Sequence, residues 1–585
     1  MFNFINKTKA CQVREIICLK ASTSLSLFLF FFLWTVNCFG GGGPENVFLL
    51  VNSAIRDSLT VANHYTELRN IPPSNVFCID YRGSYAFATG QKFRENILFP
   101  ALVEIKRRGL SDQIDYLVYS CNFPWRIDLA EDFPEVNFPK QARPIASLTG
   151  ATYLASFSVH KRKEIVNLNA NFYAQPATAV ATISQGFRAK YRWAPRGKKI
   201  SNGISYYLSA ILGVTNGRGN SVDEIVSYLK RSAVVDGTQP KGTIYFVKNK
   251  DVRSWTRHDG FDNAIREIRL AGVKAELVQG KFLQRKLQVM GVTCGGAQLN
   301  VRSSGTRFLP GAFSDNFTSS GGKFTHSKKP PGQTCVSEFL RAGAAGANGT
   351  VIEPFAIPQK FPNAGLHVHY VHGCSLAESF YQSVNCPYQQ ILVGEPLCQP
   401  WAIVPEVTVS GITRGDTIQG LVTITPAVKT KSTKGIKSLE FYVDGKRMQQ
   451  GKVGDKFTLD TSTLDDGQHE LRVVAIDGSL IETQGRWVGN VIVKNGMDAV
   501  QLSVKKSSIK KGMKILVVRV VSTRDEPVAL YHHSRELGRV TGGTGSLKIR
   551  TAELGSGPIT LFGITEGKNP VRSPNLKINL PKHEP

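Results

Sequence analysis

The chain changes texture once, at Pro405, and that change constrains its architecture more than any other feature. Before it, compact apolar runs alternate with stretches of helical periodicity. VFLLVN at 47–52, NVFCIDY at 75–81 and YLVY at 116–119 are too uniformly apolar for a sheet with one wet face. Buried strands separated by helices predict a parallel sheet covered on both faces. The alternation restarts after a less regular stretch at 156–199. It predicts strands at 204–214, 242–247, 287–292, 349–353 and 391–393. Helices are expected at 221–235, opened by a Ser221/Glu224 capping box, and at 260–270, 334–345 and 366–384. After Pro405 the runs shorten and alternate, as in EVTVSGI at 406–412 and SLEFYVDG at 438–445, the spacing of an antiparallel sandwich. The same texture repeats at 497–585. The reading is an α/β fold of two consecutive parallel-sheet units, 45–200 and 201–402, followed by an Ig-like β-sandwich at 405–495 and a second β module at 497–585.

At 585 residues, 42% hydrophobic and 20% charged, the chain has a globular composition, which excludes a disordered, collagen-like or coiled-coil protein. Its basic excess of 27 is spread along the chain with no concentrated arm, so nucleic acid is not the expected partner. The last module, with 15 Lys/Arg against 7 Asp/Glu, leaves envelope polysaccharide or surface proteins as partner classes.

Lys7, Lys9, Arg14 and Lys20 precede the run LSLFLFFFLW at 25–34. An apolar stretch of about ten to fourteen residues is short of the roughly 20 that cross a bilayer. Residues 1–39 therefore read as an export signal, with a slightly short N-terminal membrane anchor as the alternative. No other apolar run reaches membrane length, so the expected location is periplasmic, cell-surface or extracellular. Seven cysteines follow the signal, Cys78 to Cys398, without a C-x-x-C spacing for structural zinc.

The most specific residues lie in GVTCGG at 291–296, LPGAFSDNFTSSGGKF at 309–324, GQTCVSEFLRAGAAGANGTVIEPFAIPQKFPN at 332–363 and GCSLAESFYQSVNCPYQQILVGEPLCQPWA at 373–402. Together these resemble an uncharacterised bacterial family found in species with the exosortase protein-sorting system, including planctomycetes. That resemblance spans approximately 45–402. More distantly, the layout resembles the gingipain-type cysteine peptidases, with two caspase-like α/β subdomains, an Ig-like sandwich and export. SLAESF followed by LVGEPL is similar to the ending of that family, with Glu395 as the acid.

The gingipain-type resemblance implies a His-Gly after one strand and a Cys after the next. Here the first position falls in VMGVTCGGAQ, which has no histidine, and the second in NFTSSGGKF, where Ser319 takes the nucleophile position. A thiolate needs an imidazole in reach, so both members of the dyad are missing. The expectation is a non-catalytic caspase-like protein acting in surface binding or assembly. The alternative is a noncanonical hydrolase drawn from Ser319, Cys294, Asp315 and Glu353. Cys294 precedes Gly295–Gly296, which would let a substrate backbone approach. Glu353 follows TVI directly and would project at the carboxyl end of a strand, where open parallel sheets hold ligands. His369 and His372 share a helical face at i, i+3 while His367 points away, which splits the densest histidine group and argues against a metal centre. No cofactor is expected, since the glycine pairs lack a GxGxxG or P-loop context.

Overall fold

Every residue of Val47–Asn52 (β1) is buried, as a strand covered on both faces must be. It lies in a ten-stranded sheet with β2 (Val76–Ile79), β3 (Tyr116–Tyr119), β4 (Leu208–Ile211), β5 (Thr243–Lys248), β6 (Lys274–Gln279), β7 (Val289–Gly295), β8 (Phe308–Phe317), β9 (Gly346–Thr350) and β10 (Gln390–Gly394). The computed structural model describes residues 42–175, 182–326, 332–504 and 514–582. The predicted export segment 1–39 lies outside the described residues.

The strand order is β6-β5-β7-β8-β9-β10-β4-β3-β1-β2. Neighbours are parallel except β9 and β10, which pair antiparallel from Gly346↔Gly394 to Thr350↔Gln390. Because β10 is parallel to β4 through Val393↔Ile211, β1–β4 and β10 run one way and β5–β9 the other. The carboxyl ends of the two halves therefore open on opposite rims, and their crevices cannot merge.

The two expected α/β units thus share one sheet. The boundary at 200/201 falls before β4, yet β4 belongs beside β3 in the first half, through Tyr119↔Ile211. The long crossover at 156–199 delays that strand without moving it to the second half. A second difference concerns 366–384, expected as one helix and found as Gly365–Val371 and Leu376–Ser383. Gly373 takes a left-handed φ of 101°, and Ser375 then caps the next helix, its Oγ accepting from Glu378 N at 3.2 Å. The Ser221/Glu224 box forms as expected over Val222–Ala233.

Beyond Pro405 stand two β-sandwiches. In the first, Ile424 and Phe457 of one sheet pack against Phe441, Leu471 and Val473 of the other. In the second, Leu516 and Val518 meet Leu530 and Leu561. The modules join where Asp466 and Gly467 pair in parallel with Val571 and Arg572. Arg472 and Glu45, both fully buried, clamp the first sandwich to the strand-leading turn of β1 at 3.0 Å. Among the described residues no helix is long and apolar enough to cross a membrane, and the seven cysteines are free thiols.

Candidate functional site

The strand order reverses between β5 and β7, the switch point at which doubly wound sheets open a crevice beyond their carboxyl ends. Cys294 and Asp315 both reach this rim, in register on neighbouring strands with Thr293↔Asp315 and Cys294↔Asn316. Both are fully buried. The structure therefore brings these two predicted residues together, and it fills the space around them with the chain's own groups.

Arg257, from the turn before the Phe261–Leu270 helix, pairs with the Asp315 carboxylate and donates to the Cys294 carbonyl. It also donates to the Pro362 carbonyl at 3.3 Å and lies over the Phe317 ring, 5.5 Å from its centroid. Asn348 of β9 donates to the other Asp315 oxygen at 3.0 Å. Burial pushes the Asp315 carboxyl above the usual carboxylate range, against the pull of Arg257 and Asn348. The Cys294 thiol is pushed far up by burial and then by the Asp315 charge. It donates to the Asp315 carbonyl and Asn316 Oδ1, each at 3.6 Å. A thiol held in that form is a poor nucleophile.

The glycine pair is equally occupied. A Cβ on Gly295 would lie 2.3 Å from the carbonyl oxygen of Arg253, so the close approach that Gly295 permits is used by the Val252–Trp255 turn rather than by a substrate. Gly296 N–H donates to Asn316 Oδ1 at 3.2 Å, and Asn316 Nδ2 returns a bond to the Gly296 carbonyl at 3.2 Å. That N–H is not free to hold an oxyanion.

Ser319 lies two residues past β8, half-buried in a turn stapled by Gln333. Gln333 Oε1 accepts from Thr318 Oγ1 at 2.6 Å and from Ser320 N at 3.0 Å. Glu353 sits three residues beyond β9, which ends at Thr350, and is exposed with Oε1 accepting from Phe355 N at 2.9 Å. It does not join Cys294 and Asp315. Three described histidines of the α/β layer bond elsewhere. His258 Nε2 meets Ser254 Oγ at 2.9 Å, and the Nδ1 atoms of His369 and His372 both meet Ser184 Oγ at 2.9 Å. His367 turns the opposite way, against Gly291, Phe246 and Phe313, as the helical spacing requires. Glu395, fully buried, accepts from Tyr65 Oη at 2.9 Å and pairs with Arg69, tying the last sheet loop to the Arg56–Arg69 helix.

Sequence reasoning missed Arg257 and Asn348. The one available signal was Asp315 itself, since a carboxylate inside the apolar run AFSDNF demands a buried cation somewhere.

Comparison with solved structures returns neighbours of low identity. Fibronectin(III)-like modules of Clostridium thermocellum CbhA are 16% identical, covering 30% of this chain and 92% of that one, with a TM-score of 0.14. Dimeric latent PorU from Porphyromonas gingivalis is 13% identical over 30% of this chain and 20% of that chain, TM-score 0.13. Bacteroides ovatus SGBP-B in complex with a mixed-linkage heptasaccharide is 11% identical over 29% and 47%, TM-score 0.19. No curated protein matches the chain. Within the chain, residues 405–473 match the bacterial Ig domain family.

Proposed function

We propose that this chain is an exported, non-catalytic protein with a caspase-like α/β core, whose Ig-like modules serve cell-envelope or surface binding and assembly in an exosortase-bearing bacterium. Each half of the sheet winds outward in the same order, β2-β1-β3-β4 and β6-β5-β7-β8, which supports two related doubly wound subdomains. The observation that carries the non-catalytic reading is the Arg257–Asp315 pair over Cys294. Arg257 bonds the Asp315 carboxylate and the Cys294 carbonyl, the Cys294 thiol donates to the Asp315 carbonyl, and no described imidazole bonds to Cys294 or Ser319. The bacterial Ig domain at 405–473 supports the binding role. Peptide-library and ester-substrate profiling of the purified chain tests it. The expected result is no turnover above buffer; turnover abolished by Ser319→Ala or Cys294→Ala would overturn the reading in favour of a hydrolase.

A further inference from the structure

The α/β layer and both sandwiches meet at one residue, Asp444. It opens a two-residue Asp-Gly turn between the strands Ile436–Val443 and Lys446–Gly451, and Asp444 and Gly445 hold the left-handed φ values, 48° and 81°, that a tight hairpin requires. From the α/β layer, Ser74 Oγ donates to the Asp444 carbonyl at 2.8 Å. From the first sandwich, Glu470 N donates to Asp444 Oδ1 at 3.0 Å, and His469 Nδ1 meets Asp444 Oδ2 at 2.6 Å. From the second module, Arg572 reaches Oδ1 at 3.3 Å.

The other contact of His469 fixes its proton count. Its Nε2 meets the Asp465 carbonyl oxygen at 2.8 Å. A carboxylate and a carbonyl can only accept, so both ring nitrogens must donate, whereas a neutral imidazole has a single N–H. His469 is therefore an imidazolium. The proton does not sit on Asp444 instead: burial raises that carboxyl, but His469, Arg572 and the Glu470 N–H outweigh burial and hold it below the usual carboxylate range. The charged groups facing the His469 ring are the Asp444 carboxylate, the Asp465 carboxylate at the start of its own strand and the Arg572 guanidinium. Burial and Arg572 oppose the charge on the ring. The Asp444 carboxylate and the Asp465 carbonyl outweigh both, and raise its pKa above the ordinary histidine value.

We propose that His469, Asp444 and Arg572 form a pH-sensitive lock between the two sandwiches, closed while His469 is protonated and opened by alkali. Loss of the proton to solvent leaves a ring lone pair against either the Asp444 carboxylate or the Asp465 carbonyl, so one hydrogen bond becomes a repulsion. His469 is only 5% exposed, which keeps water from replacing it. The junction where Asp466 and Gly467 pair with Val571 and Arg572 then loses its neighbouring support. A group whose pKa is raised by folding stabilises the folded form fully below its unfolded value, near 6.5, and that stabilisation is lost as pH rises through the folded value. The lock goes beyond the binding role proposed above and does not depend on it.

Hydrogen exchange of the full chain, read as protection factors from pH 6 to 10, tests it. Protection at 465–470 and 571–575 is expected to fall by about tenfold or more as pH rises, while the β7–β8 core keeps its own. His469→Gln, which carries no charge at any pH, is expected to show the low protection throughout. Asp444→Asn removes the carboxylate that favours the imidazolium and is expected to move the loss to lower pH by about one unit or more. Protection at the junction that does not change with pH, a pH-dependent loss that persists in His469→Gln, or a midpoint unmoved in Asp444→Asn would each overturn the lock.

Discussion

The guanidinium of Arg257 and the carboxylate of Asp315 form an ion pair in which the side chains are 3% and 0% exposed, and the same guanidinium caps the carbonyl of Cys294. Removing one partner strands the other's charge, a loss of about 3–5 kcal/mol for buried pairs, whereas replacing both by apolar groups of similar volume costs far less. Urea unfolding should therefore show Asp315→Ala strongly destabilised. The double variant Arg257→Met with Asp315→Leu should be more stable than Asp315→Ala alone. Additive losses would mean that the two groups act independently.

Gly291 and His367 form a second coupled pair. A Cβ at Gly291 would lie 2.6 Å from His367 Cε1, inside contact distance. Gly291→Ala should cost about 1–3 kcal/mol, the range for overpacked cores. His367→Ala should relieve the clash, so the double variant should melt above the level that the two single losses predict by addition. A thermal-melt double-mutant cycle measures the difference.

Acid should loosen the α/β layer before it protonates exposed carboxylates. Burial holds the pKa values of His367 and His369 down to about 3. An unfolded histidine takes its proton near pH 6.5, so between about 6.5 and 3 the unfolded chain binds more protons than the folded one. The stability these neutral rings permit is complete above about pH 6.5 and is lost as pH falls, by at most about 1.4 kcal/mol per unit for each ring. Melts from pH 8 to 4 should show a shallower acid slope in His367→Leu than in the parent chain. Equal slopes would count against a neutral, buried His367.

The clamp between Glu45 and Arg472 holds the first sandwich on the sheet, and both side chains are fully buried. Arg486 adds a second cation at 3.2 Å from Glu45. Arg472→Met should cost about 3–5 kcal/mol by leaving Glu45 underpaired. Hydrogen exchange should then accelerate at 43–47 and 484–488 ahead of the β7–β8 core. Uniform acceleration across the chain would show that the seam is not a local unit.

The layers were legible in sequence because period decides them. VFLLVN can only be a doubly covered strand, and the alternation after Pro405 can only be half-buried sheet. The placement of β4 was not legible, since sequence order does not reveal which strand a long crossover returns to. The break at Gly373 was hidden by apolar residues that continue on both sides, and only the φ of 101° makes the glycine decisive. At the candidate site, Cys294 and Asp315 could be picked out by residue type and strand position. Their buried cationic partner could not, because Arg257 lies 58 residues from Asp315 and belongs to no motif. Glu353 was misjudged by strand length, as β9 stops three residues earlier than the apolar run TVI implied.

Active-site-directed labelling of the folded chain, read by peptide mass spectrometry, tests the central claim most directly. Fluorophosphonate for Ser319 and iodoacetamide for Cys294 should leave no adduct at pH 8 in native buffer, and iodoacetamide should label Cys294 once urea unfolds the chain. A stoichiometric adduct on either residue of the folded protein would contradict an inert switch point.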